Sequence, residues 1–130
     1  MPLYTVMTQV GVLDDDAKAS LAARLTSTHS ECSGVPKNWV HVIFQEYPAR
    51  NGFTAGLPAA TAALTLLIRD GRSVQYKRNL LARLWGLFQA ATGAADDQIV
   101  VGIQEVPASQ AMEMGKIMPE VEPSPRADHV

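Results

Sequence analysis

The chain has 130 residues, 47% of them hydrophobic and 18% charged, and its formal net charge is −2. This length suffices for one domain with a real core, and the composition is typical of a soluble globular protein. The small negative charge excludes a global basic surface for nucleic acid or an anionic membrane. No segment resembles a signal peptide or a membrane span, so we expect a cytoplasmic protein. The single cysteine, Cys32, excludes an intrachain disulfide.

A strand, a helix and a second strand are predicted in the first part of the chain. Leu3–Gln9 is an apolar run with β-branched and aromatic residues, which indicates a strand. The three aspartates at 14–16 supply a helix N-cap and an acidic first turn, and Gly34 with Pro36 ends that helix. Trp39–Glu46 is the second predicted strand. The helix buries apolar positions at helical spacing, namely Ala17, Leu21, Leu25 and Cys32.

The same order of elements returns in the second part. Leu64–Ile68 and Ile99–Glu105 indicate strands. Between them, Ser73 caps the predicted helix Val74–Ala91, and Gly93 ends it. We expect the buried side of this helix to carry Leu80, Leu81, Leu84, Leu87 and Phe88. Residues 47–60, between the two parts, are rich in proline, glycine and small side chains and predict a loop with a short edge strand, whereas 120–130 predict a C-terminal tail.

The two parts are copies of one unit at a constant separation of 59 residues. "LAARL" at 21–25 falls on "LLARL" at 80–84, and "QEYPA" at 45–49 falls on "QEVPA" at 104–108, without a gap. Such self-similarity indicates duplication of one supersecondary unit. We therefore predict a single domain over 1–119, with one unit at about 2–49 and the other at about 61–108.

Two strand–helix–strand units predict an α/β fold. A crossover within one sheet joins parallel strands and is right-handed in nearly all proteins. Two such units give a four-stranded, mainly parallel or mixed sheet with two helices on one face. Because the strands are apolar nearly throughout, the other face also needs cover, and we expect a homo-oligomer that packs sheet to sheet.

Arg69 and Arg72 are the first candidate functional residues. They follow the carboxyl end of the predicted strand Leu64–Ile68, where ligands of parallel sheets usually bind, and Ser73 then begins a helix. Two guanidinium groups three residues apart can hold one carboxylate through paired hydrogen bonds. The alternative is that one or both are solvated surface arginines.

Pro2 is the second candidate. A proline is tolerated at the first position of a strand because its missing N–H can face outward. The functional alternative is that the initiator methionine is removed, which leaves a rigid secondary amine at residue 2. If an in-plane pseudo-twofold axis relates the two units, Pro2 lies beside Arg69 and Arg72.

The chain resembles the tautomerase superfamily in its N-terminal proline, its two tandem units and its length. Within that superfamily it is similar to the cis-3-chloroacrylic acid dehalogenase family, from Pro2 to about Pro119. The matching motifs are "THS" with His29, "FQE-P" at Phe44–Pro48, "GRS" at Gly71–Ser73 and "EVPA-Q-ME-G" at Glu105–Gly115.

The resemblance implies a catalytic role for Pro2, whose amine is the acid or base in that family. It also implies that Arg69, Arg72 and His29 bind the substrate carboxylate and that Glu113 activates water. Apart from the resemblance, His29 is explained as a packed core histidine and Glu113 as an exposed acidic residue. We expect a small carboxylate substrate, no cofactor, no metal and, from the resemblance, a homotrimer.

One position departs from the family. Where the dehalogenases carry a last-strand tyrosine that assists the glutamate, this chain has Gly102. Its loss weakens water activation but leaves keto–enol chemistry intact, so we predict a tautomerase of a 2-oxo acid such as phenylpyruvate or a 2-hydroxydienoate. The alternatives are a cis-3-haloacrylate dehalogenase or hydratase of low activity, a decarboxylase of a β-keto or semialdehyde acid, and a non-catalytic binding protein with the same fold.

Overall fold

The two helices begin and end at residues with capping chemistry. The computed structural model describes residues 1–122, and its helices are α1, Asp15–Ser33, and α2, Val74–Thr92. Asp14 and Ser73 each accept a hydrogen bond from an amide of the first turn, at 2.8 and 3.0 Å. Gly34 and Gly93 end the helices at φ of 77° and 67°, as predicted. Neither helix of this part of the chain is both long and apolar enough to cross a bilayer.

The described residues contain eight strands, four of them in one mixed sheet and four in two short hairpins. In chain order they are β1 (Leu3–Gln9), β2 (His41–Tyr47), β3 (Phe53–Thr54), β4 (Leu57–Pro58), β5 (Ala62–Arg69), β6 (Ile99–Val106), β7 (Met112–Glu113) and β8 (Lys116–Ile117). The sheet order is β2-β1-β5-β6. Within each unit the strands are parallel, so the predicted α/β fold with two strand–helix–strand units is confirmed.

An antiparallel contact between β1 and β5 joins the two units. Leu3 pairs with Leu67 and Met7 with Ala63, so the start of β1 lies beside the end of β5. An in-plane pseudo-twofold axis therefore relates the units. This is the arrangement that brings Pro2 to the same end of the sheet as Arg69.

The core lies between the sheet and the two helices. Every second side chain of β1 and β5 is buried there, and on α2 Leu80, Leu84 and Phe88 are fully buried as predicted. The prediction for Leu81 is wrong, because this residue follows Leu80 by about 100° around the helix and is only half-buried. Cys32 is buried and free, as expected.

The sheet face opposite the helices is apolar and exposed in the single chain. Met7, Ile43 and Val100 lie on it and are 42%, 51% and 63% exposed. The prediction that the strands are buried on both faces is therefore not met within one chain, because both helices pack on the same side. An apolar surface of this kind marks an interaction site, as the expected homo-oligomer requires.

The duplication extends into the two hairpins, which the sequence analysis did not pair. The hairpin β3–β4 lies in the segment 47–60, and β7–β8 repeats it 59 positions later. Ala55 and Met114 occupy equivalent turn positions with the same φ of 52°, and a glycine with positive φ follows each of them. Thr54 and Glu113 are therefore structurally equivalent residues on β3 and β7.

Candidate active site

Four predicted site residues meet the N-terminus at one end of the sheet. Arg69 is the last residue of β5, Arg72 precedes α2, His29 lies on α1, and Glu113 lies on β7. Arg69 lies in the electrostatic field of Arg72 and Glu113, and His29 lies in that of Arg72 and the N-terminal amine. The fold thus brings together residues that are up to 112 positions apart in the sequence.

Arg69 is held by contacts on two sides. The residue is 8% exposed, its guanidinium carbon lies 5.7 Å from the centroid of the Trp39 ring, and its Nη1 donates to the Pro119 carbonyl at 2.5 Å. Burial and then the charge of Arg72 lower the pKa of Arg69, yet a guanidinium remains protonated in proteins. A buried cation with several N–H donors is suited to bind a carboxylate.

Arg72 lines the same cavity as Arg69. This cavity has a volume of about 340 Å³ and is also lined by Trp39 and by residues of the segment 119–122. The guanidinium carbon of Arg72 lies 5.0 Å from the centroid of the Tyr76 ring. Such a cation–π contact orients a guanidinium without using its N–H donors. Two oriented cations on one cavity can bind one carboxylate.

Glu113 pairs with the N-terminus through one of its oxygens only. Its Oε1 forms an ion pair with the Met1 amine. Its Oε2 is buried and has no hydrogen-bond partner within residues 1–122. A buried polar atom without a partner is costly, so an unpaired carboxylate oxygen in the electrostatic field of Arg69 makes Glu113 a candidate to contact a ligand. The alternative of an exposed acidic residue does not fit, because the Glu113 side chain is only 15% exposed.

Pro2 is fully buried behind the first residue. Its carbonyl accepts a hydrogen bond from the His41 amide at 3.1 Å, which continues the pairing of β1 with β2. The Met1 side chain, together with Trp39 and Val106, packs against a second small apolar cluster formed by Ala108, Ala111 and Met118. Met1 therefore fills an apolar space that adjoins the Pro2 nitrogen.

His29 is buried and bonded to an aromatic residue of the central strand. It is 3% exposed, and its Nδ1 lies 2.7 Å from the Tyr4 hydroxyl. The two rings meet edge to face at 85°. Burial, then the positive charges of Arg72 and the N-terminus, lowers the pKa of His29 from 6.5 to about 3. His29 is thus both the core histidine and the site neighbour that the sequence left as alternatives.

Gly102 is not part of this cluster within one chain. It lies on β6 opposite Thr65, four residues before Val106, which pairs with Arg69. Four residues of strand span about 13 Å. Apart from its two chain neighbours, no residue of the described part of the chain has an atom within 4 Å of a Cβ built at Gly102. Any effect of this position on the site has to come from the open sheet face, where another copy would pack.

Sequence reasoning missed three residues that shape the site. Trp39 stacks on Arg69, Pro119 accepts its hydrogen bond, and Tyr4 holds His29. The alternation of strand side chains places Tyr4 on the same face as Pro2, so its position was available from the sequence. Trp39 and Pro119 carry no comparable local signal, because both meet Arg69 only through the tertiary fold.

Comparison with known proteins assigns the chain to a family. The family model Tautomerase 3, which describes oxalocrotonate tautomerase enzymes, matches residues 1–127. No curated protein sequence matches the chain. Among solved structures, native Ps01740 is 37% identical with a TM-score of 0.82, and the match covers 85% of this chain and 99% of that chain.

Two further structures relate the chain to named groups. N1, a member of the cis-3-chloroacrylic acid dehalogenase family, is 29% identical with a TM-score of 0.86 and covers 92% of this chain and 85% of its own. A symmetric trimer of fused 4-OT is 26% identical with a TM-score of 0.81 and covers 89% of this chain and 94% of its own. With a family model matched over both units, this chain belongs to the tautomerase superfamily, in the oxalocrotonate tautomerase family and beside the cis-3-chloroacrylic acid dehalogenases.

Proposed function

We propose that this protein is a keto–enol tautomerase of a 2-oxo acid, with the amine of Pro2 as its acid and base. One observation carries the proposal. The N-terminus pairs with Glu113 and interacts electrostatically with Arg69 and His29, and Arg69 and Arg72 line a cavity of about 340 Å³. Membership of a superfamily whose members are generally isomerases supports the same reaction class.

Removal of Met1 is the first condition for this chemistry. While Met1 is present, the Pro2 nitrogen belongs to a planar amide and has no basic lone pair. The Met1 amine already has its pKa lowered by burial, even though Glu113 opposes this shift. A prolyl amine in the same surroundings has its pKa lowered toward neutrality, the range in which a general base works best.

The proton transfer follows from the positions of the bound groups. Arg69 and Arg72 bind the substrate carboxylate and hold its C3 carbon at the Pro2 nitrogen. The unprotonated amine removes a proton from C3, the C–H electrons form the C2–C3 double bond, and the carbonyl electrons move onto oxygen. The guanidinium groups stabilise that negative charge. The proton on nitrogen then passes to the oxygen and completes the enol, and the reverse sequence restores the keto form.

The space now filled by Met1 favours a substrate with an apolar group. The Met1 side chain contacts a cluster lined by Ala108, Ala111 and Met118, with Trp39 alongside. Once Met1 is removed, an aryl or alkyl group attached to C3 can occupy this space while the carboxylate remains at Arg69. Phenylpyruvate, whose benzyl carbon is the carbon that loses the proton, is the trial substrate with this shape.

The experiment is a pH–rate profile for phenylpyruvate ketonisation, with mass spectrometry to establish which N-terminus is present. We expect an inflection well below the pKa of an ordinary secondary amine in the chain that begins at Pro2. The inflection is lost in a chain that retains Met1. Equal rates for both forms, or unchanged activity of Pro2→Ala, would overturn the proposal.

A second candidate function is hydrolytic dehalogenation or hydration of a cis-3-haloacrylate. The unpartnered Glu113 Oε2 favours it, because a buried carboxylate oxygen can activate water. The absence of a side chain at Gly102 disfavours it, and we expect this activity to be low. Gly102→Tyr should raise turnover of cis-3-chloroacrylate, and Glu113→Gln should abolish that turnover while leaving ketonisation of phenylpyruvate largely intact. Faster turnover of cis-3-chloroacrylate than of phenylpyruvate by the unaltered chain would make dehalogenation the first candidate function and tautomerisation the second.

The apolar open face supports assembly into a homotrimer. Met7, Ile43 and Val100 lie exposed on it, and fused 4-OT of the same fold forms a symmetric trimer. Ile43→Lys places a charge on this face, and sedimentation should then show smaller particles than for the unaltered chain. A single-chain mass for the unaltered protein would contradict the assembly.

A further inference from the structure

The hydrogen bond between Tyr4 and His29 has a defined direction. We propose that Tyr4 is a positioning residue that keeps His29 neutral, with its one ring proton on Nε2, and thereby presents an N–H donor to the substrate carboxylate. The inference rests on the proposed role of His29 in carboxylate binding. Tyr4, on β1, thereby acts on the site through His29 and does not itself contact the substrate.

Tyr4 has to be the donor of this bond. Its ring is 0% exposed, and its hydroxyl has no partner except His29 Nδ1 in the described part of the chain. If Nδ1 carried a proton and donated it, the tyrosine O–H would be buried without an acceptor, which native structures avoid. Burial also raises the pKa of Tyr4, so the hydroxyl keeps its proton.

The imidazole therefore keeps one proton, and that proton is on Nε2. Nδ1 is occupied as an acceptor at 2.7 Å, so a second ring proton would break the bond. Arg72 and the N-terminal amine face the ring as positive charges, and they oppose a cationic His29 as well. Nε2 has no hydrogen-bond partner within residues 1–122. In that part of the chain, Glu113 Oε2 is the one fully buried side-chain nitrogen or oxygen without a partner, so Nε2 is not fully buried.

This tautomer matters for anion binding. A bare Nε2 would present a lone pair to the substrate carboxylate and repel it, whereas Nε2–H attracts it. The donor is neutral, so it adds direction to the site without adding a third positive charge beside Arg69 and Arg72. Second-sphere bonds of this kind commonly fix the tautomer of a functional histidine.

The first measurement is the protonation of the ring nitrogens by 15N NMR at neutral pH. The chain has three histidines, and His41→Asn together with His29→Gln identifies the signals of His29. In the unaltered chain we expect an unprotonated Nδ1 and a protonated Nε2. In Tyr4→Phe we expect both signals to move toward the exchange average of the two tautomers. Tyr47→Phe is the matched control, because the Tyr47 hydroxyl bonds the Thr61 carbonyl at the other end of the sheet.

The second measurement is steady-state kinetics with phenylpyruvate. In Tyr4→Phe we expect KM to rise about fivefold to tenfold with kcat changed less than twofold, as loss of one oriented hydrogen bond to a bound carboxylate predicts. His29→Gln, whose amide can still donate near the position of Nε2, should restore part of the affinity in the Tyr4→Phe background. Tyr47→Phe should leave both constants unchanged.

The outcomes separate this inference from the proposed function. A protonated Nδ1 on His29 of the unaltered chain overturns the inference, and this measurement does not depend on any variant folding. Unchanged His29 signals in a folded Tyr4→Phe chain overturn it as well, while the tautomerase proposal stands. A tautomer shift in a chain without tautomerase activity overturns the proposed function and leaves the Tyr4–His29 coupling in place.

Discussion

The two ends of the sheet are related by the pseudo-twofold axis and share one backbone arrangement, but their side chains differ in chemistry. One end carries groups suited to acid–base chemistry and anion binding, namely Pro2, Arg69, Arg72, His29 and Glu113. At the other end the positions 59 residues apart carry side chains that do not titrate, namely Thr61, Val10, Leu13, Phe88 and Thr54. Because the fold is shared, the proposed difference in function has to come from these few side chains and from the chain terminus.

The Thr61 end is closed by hydrogen bonds among its own residues. The hydroxyls of Thr54 and Thr61 lie 2.5 Å apart, Thr54 also donates to Gln98 at 3.2 Å, and the Tyr47 hydroxyl donates to the Thr61 carbonyl. At the Pro2 end, the equivalent of Thr54 is Glu113, whose Oε2 has no partner within residues 1–122. The polar groups at the Thr61 end bond one another, whereas the Pro2 end leaves one buried carboxylate oxygen unpaired within residues 1–122.

Converting Pro2 into an internal residue, as Thr61 is, should reduce tautomerase activity more than any other change. An uncleaved extension of two residues before Met1 keeps the Pro2 nitrogen in an amide, and we expect tautomerase activity to fall at least about 1,000-fold, as loss of a general base predicts. The same extension after Val130 is the control. An N-terminally extended chain with more than a tenth of the normal rate would show that the two ends do not differ in the way described.

Exchanging the arginines for the residues at the equivalent positions should have the next largest effect. In Arg69→Val and in Arg72→Leu we expect kcat/KM for phenylpyruvate to drop about 100-fold, mainly through KM, because each loses charge-assisted hydrogen bonds to the carboxylate. Arg83→Leu is the control, since Arg83 pairs with the exposed Glu31 at 3.0 Å. An unchanged KM in both variants would remove the arginines from substrate binding.

Replacing the buried histidine by its equivalent, Phe88, should change how stability depends on pH. The folded-state pKa of His29 is about 3, below the usual 6.5, so the unfolded chain binds the proton first and the folded state loses stability as pH falls below 6.5. We expect the unaltered chain to lose about 2 kcal/mol more than Tyr4→Phe/His29→Phe between pH 6.5 and pH 5.

Urea unfolding at fixed protein concentration measures this difference. The double replacement removes the Tyr4 hydroxyl together with its acceptor, so neither variant residue leaves an unpaired donor. Parallel pH profiles for the two chains would show that His29 titrates normally in the folded state.

Removing hydrogen bonds at the Thr61 end should change the protein least, through its stability alone. We expect Thr54→Val to lower the free energy of unfolding by about 1 kcal/mol, because two partly buried hydrogen bonds are lost. Kinetics with phenylpyruvate should be unchanged. A reduced rate in this variant would mean that the Thr61 end takes part in the reaction.

Much of the fold was predictable because its signals are local. The helix limits follow from Asp14, Ser73, Gly34 and Gly93, whose capping chemistry depends on adjacent residues only. The internal match between 21–25 and 80–84 predicted the two units. For 47–60 the sequence predicted a loop with a short edge strand and not the hairpin β3–β4, and the hairpin β7–β8 was missed, because strands of two residues are too short to show alternation.

The members of the candidate site and their roles stay predictions, and the sequence did not indicate the contacts among them. The resemblance supplied Pro2, His29, Arg69, Arg72 and Glu113, and the pseudo-twofold arrangement, which the sequence offered as one of two, brings them together. The pairing of Tyr4 with His29 and the stacking of Trp39 on Arg69 depend on how side chains of separate elements are oriented toward one another in the tertiary fold. Neither follows from the order of residues.

The continuous chain through Thr61 also fixes a stoichiometry. If Pro2 is the proposed catalytic amine, each pair of units carries one such amine, and a trimer would carry three for its six structurally equivalent strand starts. A reagent that alkylates the proposed catalytic amine should therefore saturate at one equivalent per chain. The other strand start of each chain, Thr61, is an internal residue that hydrogen-bonds Thr54 and Tyr47. It has no free amine, so it should not react with the reagent.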